Sequence, residues 1–284
     1  MTKKLKFIIV LGLAFIMTTV SITACSTNSN KTASETKTTR EVTDMEGRKV
    51  TIPTKVNKVI SLSNNTTVDV FMLAPDKLLG WSFTLKPDAK KYIGEKYFKL
   101  PVIGASEDKS SNFENIIKLK PDLIVASNED EVYAADDIQK QLKIPVVMVD
   151  IDVNNSDKVF TFLGECLGEQ KRAKTLADYC RKVLDNTEEM VKKIPTDKQL
   201  KVYYAEGASW LQTDISGNVH TEVLDDSGGK NVADIYETKV GSMANVSMEQ
   251  IMSWNPDVIL VGATGMKGDF YSKVYSDTRW SNIN

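Results

Sequence analysis

The chain has 284 residues, of which 42% are hydrophobic and 26% charged, with a formal net charge of −2. So small a net charge gives no global field of the kind nucleic-acid binding uses, so that class of partner is set aside. One His, three Cys, no Gly-x-Ser-x-Gly and no phosphate loop leave little for hydrolytic or phosphoryl-transfer chemistry.

Lys3, Lys4 and Lys6 precede an apolar stretch from Phe7 to Val20, and small residues follow, ending at Ala24-Cys25. This pattern predicts a signal peptide over residues 1–24. The apolar run falls short of the roughly 20 residues a spanning helix needs. Ile22-Thr23-Ala24-Cys25 resembles a bacterial lipobox, which implies lipidation at Cys25 and anchoring to the outer face of the cell membrane by several acyl chains. The other reading is an ordinary secreted protein with a stray thiol. Residues 25–40 are Ser, Thr, Asn and Lys with almost no apolar content, the composition of a flexible tether.

An N-terminal α/β lobe is predicted over residues 41–155. Glu41 to Asp44 and Arg48 to Ile52 flank Met45-Glu-Gly47 as a hairpin, and Lys58 to Leu62 reads as the first core strand. Ser63 to Thr67 leads into a helix ending near Pro75, Leu78 to Trp81 reads as a second strand, and Ile144 to Val149 closes the lobe. Residues 156–197 form a helical connector broken at Gly168, and its second part is long enough to run the height of two lobes. Cys166 and Cys180 fall in these helices. A disulfide is one reading, and two buried reduced thiols are the preferred one. A C-terminal α/β lobe is expected over residues 198–284, opening on Lys201 to Ala205, with Glu222 to Ser227 as a helix ended by Gly228-Gly229. Nothing there matches the strand Ile144 to Val149, so this lobe is expected to be incomplete.

Two segments, Asn112 to Ala126 and Ser247 to Val261, read almost alike. They match Glu114 with Glu249, Ile116 with Ile251, Pro121 with Pro256 and Asp122 with Asp257. Each predicts a short amphipathic helix opened by its Glu, a Pro-Asp turn and a buried parallel strand. The offset is a domain's length, which implies two similar α/β lobes with a cleft between them.

The lipobox and tether, Val50-Thr-Ile-Pro53, Lys58-Val-Ile-Ser-Leu-Ser63, Pro101-Val-Ile-Gly104, the two Glu…Pro-Asp segments and Glu222…Gly228-Gly-Lys-Asn-Val232 together resemble class III solute-binding lipoproteins of ABC importers, the iron-complex and cobalamin binders. The resemblance implies two Rossmann-like lobes joined by a single long helix. It also implies a monomer that binds no cofactor, is not an enzyme, and docks on an ABC permease dimer (with its ATPase) through Glu114 and Glu249.

The ligand is expected where loops leave the carboxyl ends of strands. That selects Asn64, Asn65, Thr66, Trp81, Phe83, Glu107 and Asp108 from the first lobe. Tyr204, Glu206, Trp210, His220 and Met243 come from the second, with Glu206 and His220 as the residues to consider for a metal. Glu206 stands where cobalamin-binding relatives carry an aromatic wall, and an acid there favours a cation or a donor-rich chelate. The leading cargo is an iron chelate of the siderophore kind. Cobalamin or haem, a bare or histidine-complexed transition metal, and an oxyanion are the alternatives. A surface sensor and an extracytoplasmic metal-dependent enzyme are the more distant readings.

Overall fold

A computed structural model describes residues 38–103, 109–128, 135–207, 209–234, 243–262 and 278–283. The signal peptide, Cys25, most of the tether, Glu107 and Asp108 lie outside the described residues. An antiparallel hairpin comes first, β1 (Thr39–Thr43) with β2 (Lys49–Pro53), in the register Val42 opposite Val50. The tether expected to reach residue 40 therefore gives way to strand at Thr39, because Thr39 and Arg40 pair with Pro53 and Ile52.

The first sheet is parallel, in the order β3 (Val59–Ser61), β4 (Leu123–Ser127), β5 (Val146–Val149). Beyond β3 it continues only as single bridges, Val59 to Leu78 and Trp81 to Val102, rather than as the full strand expected at Leu78 to Trp81. Alternation along the strands sends side chains to two cores. Val59, Leu123, Val125, Val147 and Val149 pack with α1 (Asn64–Leu73) and with the helices that follow the sheet. On the other face Ile60, Ile124, Ala126, Val146 and Met148 meet Ile116 and Ile138. Ser63 caps α1, its side chain accepting from the Thr66 N–H, as its place before an apolar run predicts. Two single turns, α2 (Lys90–Ile93) and α3 (Glu95–Phe98), lead to α4 (Lys109–Leu119), and α5 (Ala135–Leu142) precedes β5.

Two helices leave this lobe, α6 (Ser156–Leu167) and α7 (Gln170–Val191). Gly168, left-handed at φ 72°, ends the first, where the sequence placed its break. At Gly164 the two helices come so close that a Cβ there would sit 2.2 Å from the Ala173 Cβ. With 22 residues, α7 is about 33 Å long. Its Ala173, Leu176 and Ala177 pack into the first lobe's core, and at its far end Val191 abuts Gly228 of the second lobe. Cys166 is buried and Cys180 half-buried, both as free thiols, and burial pushes the Cys166 thiol up to about 12.

The second lobe holds β6 (Lys201–Ala205), the two-residue strand β7 (Gln212–Thr213), α8 (Glu222–Asp226), β8 (Lys230–Asn231), β9 (Ala244–Asn245), α9 (Met248–Trp254) and β10 (Val258–Val261). Its parallel sheet runs β10-β6-β8, with β7 and β9 as a small antiparallel pair. Tyr203, Ala205, Trp210 and Ile251 are among its core residues.

The sequence repeat becomes a shared clamp in this architecture. Asp122 accepts from the backbone N–H of Asn57 at 3.0 Å and of Lys58 at 3.1 Å, at the start of β3. Asp257 accepts from the Lys201 N–H at 2.8 Å, at the start of β6. In both lobes the same Asp also donates its own N–H to the Lys carbonyl, at 2.8 Å. Each Pro-Asp turn thus locks the entry of its strand to the entry of the neighbouring strand.

Candidate functional site

The two lobes meet at a cleft of about 640 Å³. From the first lobe it is lined by Asn128 and by the segment from Asp150 to Asn154, where the chain leaves the carboxyl ends of β4 and β5. From the second it is lined by Gly217, Asn218, Val219 and the α8 acids Glu222, Asp225 and Asp226. Five carboxylates and no Lys or Arg stand among these described lining residues.

Hydrogen bonds set the positions of the acids. Asp150 accepts from the side-chain amides of Asn128 at 3.1 Å and Asn155 at 2.7 Å. Asp225 accepts from Ser216 Oγ and the Gly217 N–H, both at 2.8 Å, and so shapes the loop before His220. Hydrogen bonds cross between the lobes here: the Val153 N–H donates to Glu222 Oε1 at 2.9 Å, and Asn154 donates to Asp226 Oδ2 at 2.9 Å. Burial, and next the contact with Asp152, push the Glu222 carboxyl up to about 7. Asp152 is held below its usual range, first by its hydrogen bond with Glu222. Of the two, Glu222 is therefore the one that takes up a proton first as pH falls.

Deeper in the second lobe a further group forms around Glu206, at the end of β6. A tight return at Gly207 (φ 72°) and Trp210 (φ 63°) brings β7 back beside it, with Glu206 N–H donating to the Gln212 carbonyl at 2.7 Å. This places Asp214, just past β7, against Glu206. His220 Nδ1 lies 2.8 Å from Asp214 Oδ2 and 3.1 Å from Glu206 Oε1. Glu206 and Asp214 are 2% and 1% exposed, whereas the His220 side chain is 42% exposed. Burial, then Asp214, push the Glu206 carboxyl up to about 7, and His220 opposes that shift.

The residues expected in the cleft divide into three groups. Asn65 is exposed and lines a small pocket with Asp150 and Asp152, beside the main cleft. Glu206 and His220 come together, with His220 Nδ1 3.1 Å from Glu206 Oε1. Tyr204 is half-buried on β6, and Met243 is exposed before β9.

Thr66, Trp81 and Trp210 are corrections, since all three are core residues. Thr66 is fully buried and bonded to Ser61 and Ser63. Trp81 is 2% exposed, donates Nε1 to the Tyr97 carbonyl at 2.9 Å and packs on Phe71 and the half-buried Phe83. Trp210 fills the second core. Asn64 accepts from Ser82 at 3.1 Å, which ties it to the start of α1. Asp150, Asp152, Asp214, Asp225 and Asp226 were not singled out from the sequence, and Glu222 entered only as part of a helix and of the motif ending at Val232. The strand-end rule reaches Asp150 and Asp152, which directly follow β5.

Glu249, in the first turn of α9, is exposed, and its carboxyl is held below the usual range by its own backbone N–H first and then by Ser247. Glu114 is exposed as well, 3.7 Å from Lys118, but it lies midway along α4 instead of opening a helix, because α4 starts as far back as Lys109.

Comparison with known proteins agrees with this architecture. The chain is 25% identical to the molybdate-binding protein MolA of Haemophilus influenzae, over 86% of this chain and 74% of that protein. It is 26% identical to an ABC transporter substrate-binding lipoprotein, YvrC, of Bacillus subtilis, over 95% and 84%. With the iron(3+)-hydroxamate-binding protein YxeB of Bacillus subtilis it shares 25% identity, over 60% and 54%. Among solved structures, an ABC transporter solute binding protein from Sulfurospirillum deleyianum superposes with a TM-score of 0.74 at 26% identity, over 86% of this chain and 76% of that one. The model of the periplasmic binding protein family matches residues 59–284, and the chain belongs to that family.

Proposed function

We propose that the chain is the extracytoplasmic binding subunit of an ABC importer, tethered through Cys25, that captures a neutral or cationic iron chelate of the hydroxamate class between its lobes. The observation that carries this reading is the charge of the cleft: five carboxylates with no Lys or Arg among the described lining residues. At an effective dielectric of 20, each charge on a cargo about 8 Å from an ionised carboxylate changes the energy by about 2 kcal/mol. A dianion is penalised by that field, and a cation is favoured. The volume suits a compact chelate, since small-ligand sites span about 300–1,000 Å³. Relatives supply both a hydroxamate binder and a molybdate binder, and molybdate is the second reading because MolA matches so much of the chain. Delivery uses the exposed Glu114 and Glu249 as one handle per lobe for a two-fold permease.

The test is a thermal-shift and calorimetric panel of ferric hydroxamates, molybdate, haem, cobalamin and nickel. Stabilisation by a cationic ferric hydroxamate and none by molybdate is the expected result. Tight molybdate binding with no response to ferric hydroxamates overturns the reading.

A further inference from the structure

Glu206, Asp214 and His220 pose a physical problem that their own contacts leave unsolved. Two carboxylates, each at least 98% buried, face one another, and both Glu206 oxygens and Asp214 Oδ1 lack a hydrogen-bond donor. The group that opposes the upward shift of Glu206 is His220. Buried carboxylates without donors are costly, and native structures retain them where something else supplies the charge. The three residues offer one ligand atom each, all within 4.8 Å of one another.

From this arrangement we propose that Glu206, Asp214 and His220 form a binding site for a single first-row divalent cation. With metal–ligand bonds of about 2.1 Å, neighbouring donors on a six-coordinate ion stand about 3.0 Å apart. The observed separations from His220 Nδ1, 2.8 Å to Asp214 and 3.1 Å to Glu206, match that edge. The ion sits between the imidazole nitrogen and the two carboxylates, and two carboxylates with one dication leave the pocket neutral. Two carboxylate oxygens and an imidazole nitrogen suit manganese, iron, cobalt, nickel or zinc, with no thiolate to select copper(I). Solvent or a cargo donor fills the remaining positions on the exposed His220 side.

The scaffold holds these donors in place. The Asp214 carbonyl accepts from buried Asn231 at 2.8 Å, and Thr221 Oγ1 donates to the Ile215 carbonyl at 2.7 Å. Every ligand comes from the second lobe, so the site does not depend on which cargo the cleft carries.

The test uses metal ions alone. Chelator-stripped chain is titrated with Co²⁺, Mn²⁺ and Zn²⁺, followed by calorimetry and by the visible absorption of cobalt. One ion per chain is expected, with affinity falling by about tenfold or more in Glu206→Gln, Asp214→Asn and His220→Ala. Asp178→Asn, an exposed acid of α7 outside both the site and the cleft, keeps the affinity of the unmodified chain.

A second readout needs no variant. His220 is the only histidine, so the ultraviolet absorption of N-carbethoxyhistidine after diethyl pyrocarbonate treatment reports on it alone. Metal on Nδ1 leaves the other ring nitrogen protonated and without a lone pair, and carbethoxylation must slow. Absence of binding at millimolar metal, unchanged affinity in His220→Ala and Asp214→Asn, or unslowed carbethoxylation overturns the proposal. A chain that binds these ions but no ferric hydroxamate refutes the cargo reading and leaves this site standing.

Discussion

The two Pro-Asp clamps predict an unequal pair of stability losses. Asp122 accepts two backbone N–H bonds, from Asn57 and Lys58, and Asp257 accepts one, from Lys201. Hydrogen bonds to a charged acceptor contribute about 1.5–3 kcal/mol when shielded. Here water can replace the acceptor at exposed donors, so about 1 kcal/mol per bond is the working value. Asp122→Ala is therefore expected to cost about 2–3 kcal/mol and Asp257→Ala about 1–1.5 kcal/mol. Each Asp keeps its own N–H bond to the Lys carbonyl in the alanine variants, so strand pairing persists and the loss isolates the carboxylate. Asn at either position retains an acceptor oxygen and should cost less than half as much. Urea unfolding followed by tryptophan fluorescence measures all four variants, and the slope must stay constant for the differences to be read as stability. A loss in Asp257→Ala equal to or greater than that in Asp122→Ala refutes the reasoning. So does an Asn variant as damaging as its Ala counterpart.

Glu222 should make stability fall as pH rises. Its folded value, about 7, exceeds its ordinary 4.5, so the folded chain holds the extra proton between those values. The stabilisation is complete below about 4.5 and lost as pH climbs through about 7. Glu222→Gln in metal-free buffer should remove roughly 1–2 kcal/mol of that decline, allowing for the partial exposure of the group. An unchanged pH profile of urea midpoints counts against it. Trp81→Ala should cost about 3–5 kcal/mol, with no loss of ligand affinity in the chain that still folds. Lost affinity at intact stability would return Trp81 to the cleft. Reversing charge at Glu114 and Glu249 together should abolish uptake and leave ligand affinity intact, and a drop in affinity rejects them as docking handles.

The strands β4 and β10 were legible because four-residue apolar runs after Pro-Asp turns admit few alternatives. The break at Gly168 was legible for a similar local reason. Trp81 was misplaced because a position near a strand's end does not reveal which way the side chain turns. Its direction is set by Phe71 and by the Tyr97 carbonyl 16 residues later, contacts that no local pattern encodes. Thr66 was misplaced for a related reason, since its hydroxyl serves the turn into α1 instead of the solvent. Asp214 could not be paired with Glu206 beforehand. Their meeting depends on a return through Trp210 at positive φ, which a large aromatic residue seldom adopts.

Relatedness leaves the cargo open in a way that the lining residues do not. The same 25% identity links this chain to a molybdate binder and to a hydroxamate binder, so descent from a common fold cannot choose between them. Volume does not choose either, because about 640 Å³ admits a small oxyanion with water or a compact chelate. Charge does discriminate. An oxyanion site needs donors turned inward, and several of the described donors here are spent on the acids themselves: the Asn128 and Asn155 amides on Asp150, and the Val153 N–H on Glu222. What remains facing the cleft is acceptor-rich and negative, which suits a cargo that brings its own positive charge or its own donors. A ferric hydroxamate with a protonated amine meets both conditions, and it is the member of the panel whose binding should weaken most when Asp150 and Asp226 are made neutral.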